Sequence, residues 1–321
     1  MSVKRAIKDV AVYFDWIAAF LALFTLPLVY IVSRARARMP VSRSLYDRIG
    51  VSLIPHHYYE PVILEKDLIA PLDDPRILPG MNMQIERQLK LLSDLRYGGE
   101  LKAFPMEKKG ASYGYQNPNY GIGDAEILYS LIRKLAPRRI IEIGSGESTL
   151  MARAALSRNK VENPDYECDH VCVEPYEQPW LESFGVKVIR QRVEQCGLDT
   201  FKELGAGDIL FIDSSHVIRP QGDVVREYLQ ILPSLNPGVY VHVHDIFTPR
   251  DYPGQWVLKD RRLWDEQYLL EAFLTCNADF EVLLTLNHLA RDHPLDFAEA
   301  CPVWGDLRNR YPSAFWFRRI K

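Results

Sequence analysis

The stretch RRIIEIGSGESTL, 138–150, holds one acid, Glu142, in an apolar run. It then breaks into Gly144-Ser145-Gly146 and resumes at Ser148 and Thr149. That pattern predicts a buried parallel strand, a tight glycine turn and a helix N-terminus. Glycines there let a ligand approach bare backbone, and the free N–H groups of a helix start favour a carboxylate or phosphate. Thr149 stands where a third glycine would complete a dinucleotide fingerprint, so that motif is not met. The next apolar run, HVCVEPYE, ends on Glu174, where a ribose needs a carboxylate to accept its hydroxyl protons. Two further runs carry Asp213 and His216 (DILFIDSSH) and His242, His244 and Asp245 (GVYVHVHDIF). His242 and His244 alternate with valines, so their imidazoles share one strand face. Asp245 falls on the other face unless the chain turns there.

These residues need elements to hold them. Apolar runs at 186–194, 208–216 and 238–247 alternate with helical stretches such as GDVVREYLQILPSL. The alternation predicts a doubly wound α/β sheet with ligands at the carboxyl ends of its strands.

With E-I-G-S-G-E-S-T at 142–149, the strand-end Glu174 and F-I-D at 211–213, the chain resembles the class I S-adenosylmethionine-dependent methyltransferases. The resemblance covers roughly 121–321. It implies a seven-stranded Rossmann-like sheet closed by FEVLLTL and AFWFRRI, the last strand antiparallel. It also implies S-adenosylmethionine as cofactor, held by Glu142, Gly144, Gly146, Ser148, Glu174 and Asp213.

The finer likeness is to the catechol O-methyltransferase-like branch, in which an Asp after strand four and an Asp-Asn pair after strand five hold magnesium. The matching positions here read Asp213 and His244-Asp245. Imidazole admits manganese, iron or zinc beside the hard-oxygen choice of magnesium. Two readings stay open: a divalent metal on Asp213, His244 and Asp245, or a metal-free acid–base site using Asp213, His216 and His244. In a blander third, the histidines merely satisfy hydrogen bonds.

A net charge of −3 gives no electrostatic case for nucleic acid. Five scattered cysteines, an odd number, read as reduced thiols of a cytosolic setting. From Trp16 to Ser33 no residue is charged, which predicts a membrane-spanning helix with Tyr13, Trp16 and Tyr30 as interface aromatics. Lys4, Arg5 and Lys8 precede the run; Arg34, Arg36, Arg38 and Arg43 follow it and point to a single-pass protein with a cytoplasmic catalytic domain. Ala35-Arg36-Ala37 mimics a signal-peptidase site, but the arginines and the long run argue against cleavage.

The expected organisation is an anchor at 1–39, a linker and helical extension or lid at 40–120, and the methyltransferase domain at 121–321. Ile85, Leu89, Leu92 and Leu95 approximate one face of a helix within 81–97. His56-His57-Tyr58-Tyr59 reads as loop. Tyr120, Gly123 and Asp124 are candidate lid residues, with Asp124 equally suited to a helix N-cap. Tyr252, Trp256 and Trp264 could line an acceptor pocket, while Asp265 and Glu266 begin a helix. Two functions follow: O-methylation of a small-molecule, glycan or lipid-linked hydroxyl at the membrane, or a non-catalytic, membrane-tethered Rossmann-like binding or assembly protein.

Overall fold

The computed structural model describes the chain except Met1, Ser2, Arg36, Ala37, Lys109, Ala111, Glu177, Pro179 and Asn309, and it describes no side chains before Phe14. Lys4, Arg5, Lys8, Tyr13 and the Ala35-Arg36-Ala37 triplet thus lie wholly or partly outside the described residues. Two compact units form, Met1–Ile69 with Val257–Leu263, and Ala70–Trp256 with Trp264–Lys321. Residues 70–120, read from sequence as extension, are part of the second unit.

In the first unit α1 spans Val3–Ala35, and its Phe14–Ala35 part is long and apolar enough to cross a membrane. Its aromatics face outward; Trp16 is 87% exposed. Pro40 opens α2, Pro40–Arg48, at a position where its missing N–H costs nothing. The 56–59 segment is loop, with His56 on Asp67 at 2.7 Å and the rings of His57, Tyr58 and Tyr59 against one another.

The second unit begins with α3, Ile85–Asp94, and α4, Asp124–Leu135. Strands and helices then alternate: β1 Arg139–Ile143, α5 Glu147–Glu162, β2 Asp169–Val173, β3 Lys187–Ile189, β4 Ile209–Ile212. A helical run α6 at 223–234, π-helical over Glu227–Ile231, leads to β5, Tyr240–Val243. Next come α7 Glu266–Leu274, β6 Phe280–Thr285, α8 Leu286–Asp292, α9 Pro294–Ala300, α10 Pro302–Leu307 and β7 Phe315–Arg319.

The sheet order is β3-β2-β1-β4-β5-β7-β6, with β7 antiparallel to both β5 and β6. β3 is shorter than its apolar run suggested, because the chain leaves the sheet at Arg190, which reaches the carbonyl of Glu174.

Strands covered on both faces should be apolar throughout. One core gathers Ile141, Ile143, Leu210, Ile212, Val241 and Val243; the alternate residues Ile140, Ile209 and Phe211 pack into the other with α4 and α5. That second face carries the polar exceptions Glu142, His170 and His242, all buried. Leu92 on α3 and Leu95 just past its end are buried. Gln88, also buried, accepts hydrogen bonds from the N–H and hydroxyl of Thr285 at 2.8 and 3.0 Å.

Candidate active site at the ends of β4 and β5

The β1–α5 turn is built on two glycines with different tasks. Gly144 has φ +77°, and its N–H donates to the carbonyl of Val173 at 3.1 Å. A Cβ there would lie 2.0 Å from the Asp213 carbonyl oxygen, so this glycine lets the β1 and β4 ends close on each other. At Gly146 a Cβ would meet nothing within 4 Å among the described residues, so this is the position of the turn that faces open space. Glu142 lies beneath the turn, buried, accepting from Ser148 Oγ at 2.6 Å and Thr149 Oγ1 at 2.8 Å, with His170 Nε2 at 3.1 Å. It therefore ties α5 to β1. Glu174 leans back over the turn, accepting from the N–H groups of Ser145 and Tyr176 at 3.2 and 3.0 Å. Lys108 pairs with Glu147 at the first residue of α5, at 2.5 Å.

Beyond β4 and β5 two loops face each other. Asp213 Oδ1 lies 3.3 Å from His216 Nε2 and 3.5 Å from His244 Nδ1. Asp245 Oδ2 is 3.8 Å from each of the same nitrogens, and its Oδ1 accepts from Ser313 Oγ at 3.0 Å. His216 and Asp245 both have left-handed backbones, φ +61° and +56°. For residues bearing a Cβ that conformation costs about 1–3 kcal/mol and occurs where surroundings enforce it. It turns Asp245 off its strand alternation, onto the side of His244.

Each imidazole has a carboxylate behind it. His216 Nδ1 is 2.8 Å from Glu266 Oε2, and His244 Nε2 is 3.8 Å from Asp124 Oδ2. Burial alone would depress His216, but hydrogen bonds to Asp213 and Glu266 outweigh it and push its pKa up to about 10. Burial also opposes charge on His244, yet Asp245 and Asp213 hold its pKa well above the usual range. Burial would raise Asp213, but positive His244 and the hydrogen bonds from both imidazoles hold it well below the carboxylate range. In protonated form the imidazoles thus neutralise acids that would otherwise repel.

Of the residues singled out from sequence, Asp213, His216, His244 and Asp245 come together here. Gly144, Gly146 and Glu174 form the adjoining turn, while Glu142 and Ser148 are bonded to each other beneath it. His242 shares a face with His244 (rings 6.0 Å apart) but lies in the core, its ring stacked 3.9 Å from Phe211 and its Nε2 3.2 Å from the Tyr120 hydroxyl. Burial, then His244, keeps its pKa well below the usual range. The bland reading describes His242.

Tyr120 and Asp124 are buried, which does not suit a surface lid. Asp124 is not an N-cap either: it is the first residue of α4, accepting from the N–H groups of Ser313 and Ala314 at 2.9 and 2.7 Å. Glu126 instead accepts from the Gly123 N–H at 3.1 Å. Asp265 precedes α7 but caps nothing with its side chain; Oδ1 accepts from the Ile218 N–H at 2.6 Å, bracing the His216 loop. Trp264 packs 4.3 Å from the His216 ring and 5.0 Å from Trp256; Tyr252 is buried, its oxygen accepting from the Gln267 N–H at 3.1 Å. Sequence reading missed Glu266 as the partner of His216; the only signal was an acid in a helix whose neighbours Leu269 and Leu270 are apolar.

Residues 141–246 match the family model described as a methyltransferase domain. No curated protein sequence matches the chain. Among solved structures, the O-methyltransferase TomG from Streptomyces achromogenes, involved in tomaymycin synthesis and bound to SAM, is 17% identical; the match covers 72% of this chain and 89% of that one, with a TM-score of 0.38. The Bacillus cereus O-methyltransferase in complex with SAH is 14% identical over 73% and 90%, TM-score 0.35. A form of cmcI carrying Mg and SAM is 14% identical over 64% and 73%, TM-score 0.32. The match to a methyltransferase domain over 141–246 coincides with the β1–β5 part of the sheet, and the strand order with its antiparallel β7 is the one expected from the sequence's resemblance to the class I methyltransferases.

Proposed function

We propose that the chain is an S-adenosylmethionine-dependent O-methyltransferase acting at a membrane, with α1 as a single-pass anchor and the catalytic domain cytoplasmic. Its acceptor is a hydroxyl of a small molecule or of a glycan or lipid-linked precursor. The observation that carries this reading is the convergence of Asp213, His216, His244 and Asp245 beside the Gly144–Gly146 turn.

The donor fits the turn. Gly146 leaves open space, the first N–H groups of α5 suit a carboxylate, and Glu174 can exchange the N–H groups of Ser145 and Tyr176 for ribose hydroxyls. A divalent metal fits too: Asp213, His216 and Asp245 bring one ligand atom each within 4.8 Å of one another. His216 has its far nitrogen held by Glu266, as a ligating histidine usually does. A donor set mixing nitrogen with oxygen suits manganese, iron or zinc better than magnesium. A metal bound there would lower the pKa of the acceptor hydroxyl.

The chain's own residues position the reactants and handle the proton. Methyl transfer is an in-line displacement, so rate comes from holding hydroxyl and sulfonium in register. Trp264 and Trp256 offer an aromatic wall beside His216. Where no metal occupies the site, His216 Nε2, aimed by Glu266, is the nitrogen placed to take the hydroxyl proton. Its raised pKa favours the protonated form, so to act as base it must first release the Nε2 proton to solvent, which a loosened contact with Asp213 would ease.

Calorimetry of the intact chain with S-adenosylmethionine, followed by labelled methyl transfer into membrane extract, tests the reading. No donor binding would sink it. Donor binding without transfer to any acceptor would favour the tethered binding protein.

A further inference from the structure

We infer that Val257–Leu263, the end of a π-helical turn over Gln255–Lys259 and the loop after it, is a membrane-contacting segment which seats, with the juxtamembrane segments of its unit, on anionic phospholipid headgroups, so that the acceptor is an amphiphile drawn from the bilayer. The word acceptor rests on the methyltransferase reading; the seating of the loop does not.

The chain's division into units carries the inference. Val257–Leu263 clusters with Met1–Ile69, the unit that holds the apolar helix Phe14–Ala35. The residues on either side of the loop, Trp256 and Trp264, belong to the catalytic unit, and the Trp264 ring lies 4.3 Å from that of His216. The acceptor-side aromatics are therefore joined, at both ends, to a segment of the membrane-proximal unit.

The chemistry of that unit suits an interface. Directly after α1, α2 exposes Val41 and Leu45 at helical spacing, with Ile49 exposed just past its end and Val41 at 76%. Tyr58, Tyr59 and Ile69 are also exposed, Tyr58 at 80%. Aromatics of this kind gather at headgroup level, and an amphipathic helix there lies roughly 5–10 Å into the headgroup–acyl boundary. In the loop, Lys259, Arg261 and Arg262 are exposed beside a single acid, Asp260, and Leu263 is exposed as well. At the foot of the anchor Arg38 and Arg48 add positive charge, while Arg43 pairs with Asp47 at 3.7 Å. Basic residues next to a spanning helix are drawn to anionic lipid, within a Debye length of its surface.

The test uses the full chain reconstituted into vesicles, with a solvatochromic amino acid at position 263 and, in a second preparation, at the exposed control Asp199. With phosphatidylserine present, the probe at 263 should shift to the blue and lose emission to brominated phosphatidylcholine, whereas that at 199 should do neither. Charge reversal at K259E, R261E and R262E together, all exposed positions, should abolish the shift while leaving S-adenosylmethionine affinity unchanged. A probe at 263 as unquenched as that at 199 overturns the inference, even where donor binding is normal. Equal quenching with and without phosphatidylserine, or persistence in the triple variant, overturns the assignment to anionic headgroups. Loss of donor binding by the unmodified chain would instead fault the methyltransferase reading and leave the loop measurement intact.

Discussion

Alanine at Gly144 and alanine at Gly146 should fail in opposite ways. At Gly144 the new Cβ would sit 2.0 Å from the Asp213 carbonyl oxygen, at a backbone φ of +77°. The left-handed conformation costs a residue with a Cβ roughly 1–2 kcal/mol. Forcing a methyl into a filled site adds about 1–3 kcal/mol. The sum, roughly 2–5 kcal/mol, corresponds at 2–4 °C per kcal/mol to a melting point lowered by about 4–20 °C. Among the described residues nothing lies within 4 Å of a Cβ at Gly146, so Gly146→Ala should hold stability within about 0.5 kcal/mol. That methyl occupies the space assigned to the donor, so S-adenosylmethionine affinity should fall at least about tenfold, or about 1.4 kcal/mol. Thermal unfolding of both variants without donor, and calorimetry with it, separate the two effects. A wild-type melting point in Gly144→Ala would refute the packing argument. Unchanged donor affinity in a normally folded Gly146→Ala would place the ligand elsewhere.

Asp213→Asn and Asp245→Asn should each abolish methyl transfer while sparing donor binding, and chelation should inhibit the wild type. Full transfer after exhaustive chelation would remove the metal and leave His216 acting alone, whereas full transfer in both variants would discard the shared site. The folded pKa of His216 is raised above its free value of 6.5 to about 10, so the stability it contributes is complete below about pH 6.5 and disappears as pH rises through about 10. The gap in denaturant midpoint between wild type and His216→Gln should narrow across that window; a gap independent of pH would count against a protonated His216. Removing residues 1–39 should move the protein from the membrane to the soluble fraction with donor affinity roughly intact, because the sheet starts at Arg139. A full-length chain already soluble without detergent would remove the anchor.

Much of this molecule could be read locally. The strand–glycine–helix unit at 138–150, the alternation of strands with helices and the two closing strands follow from period, turn chemistry and apolar runs, which are properties of neighbours in sequence. Asp213, Glu174 and His244 were legible because they stand at strand ends, where a parallel sheet presents its side chains to ligands.

What tertiary structure alone decided was the partner of each group. Glu266 reads as an ordinary helix-start acid, and only folding brings it to within 2.8 Å of His216, fifty positions earlier in the chain. Asp124 reads as a cap and becomes the anchor of Ser313 and Ala314. Asp245 belongs to the opposite strand face by alternation, and a left-handed turn at φ +56° moves it into the site. His242 and His244 are indistinguishable by spacing, yet one stacks on Phe211 in the core and the other meets Asp213. Spacing along a chain determines which face a side chain takes, but charge state and role depend on which distant groups close around it, and in a buried site those groups set the energy of every proton.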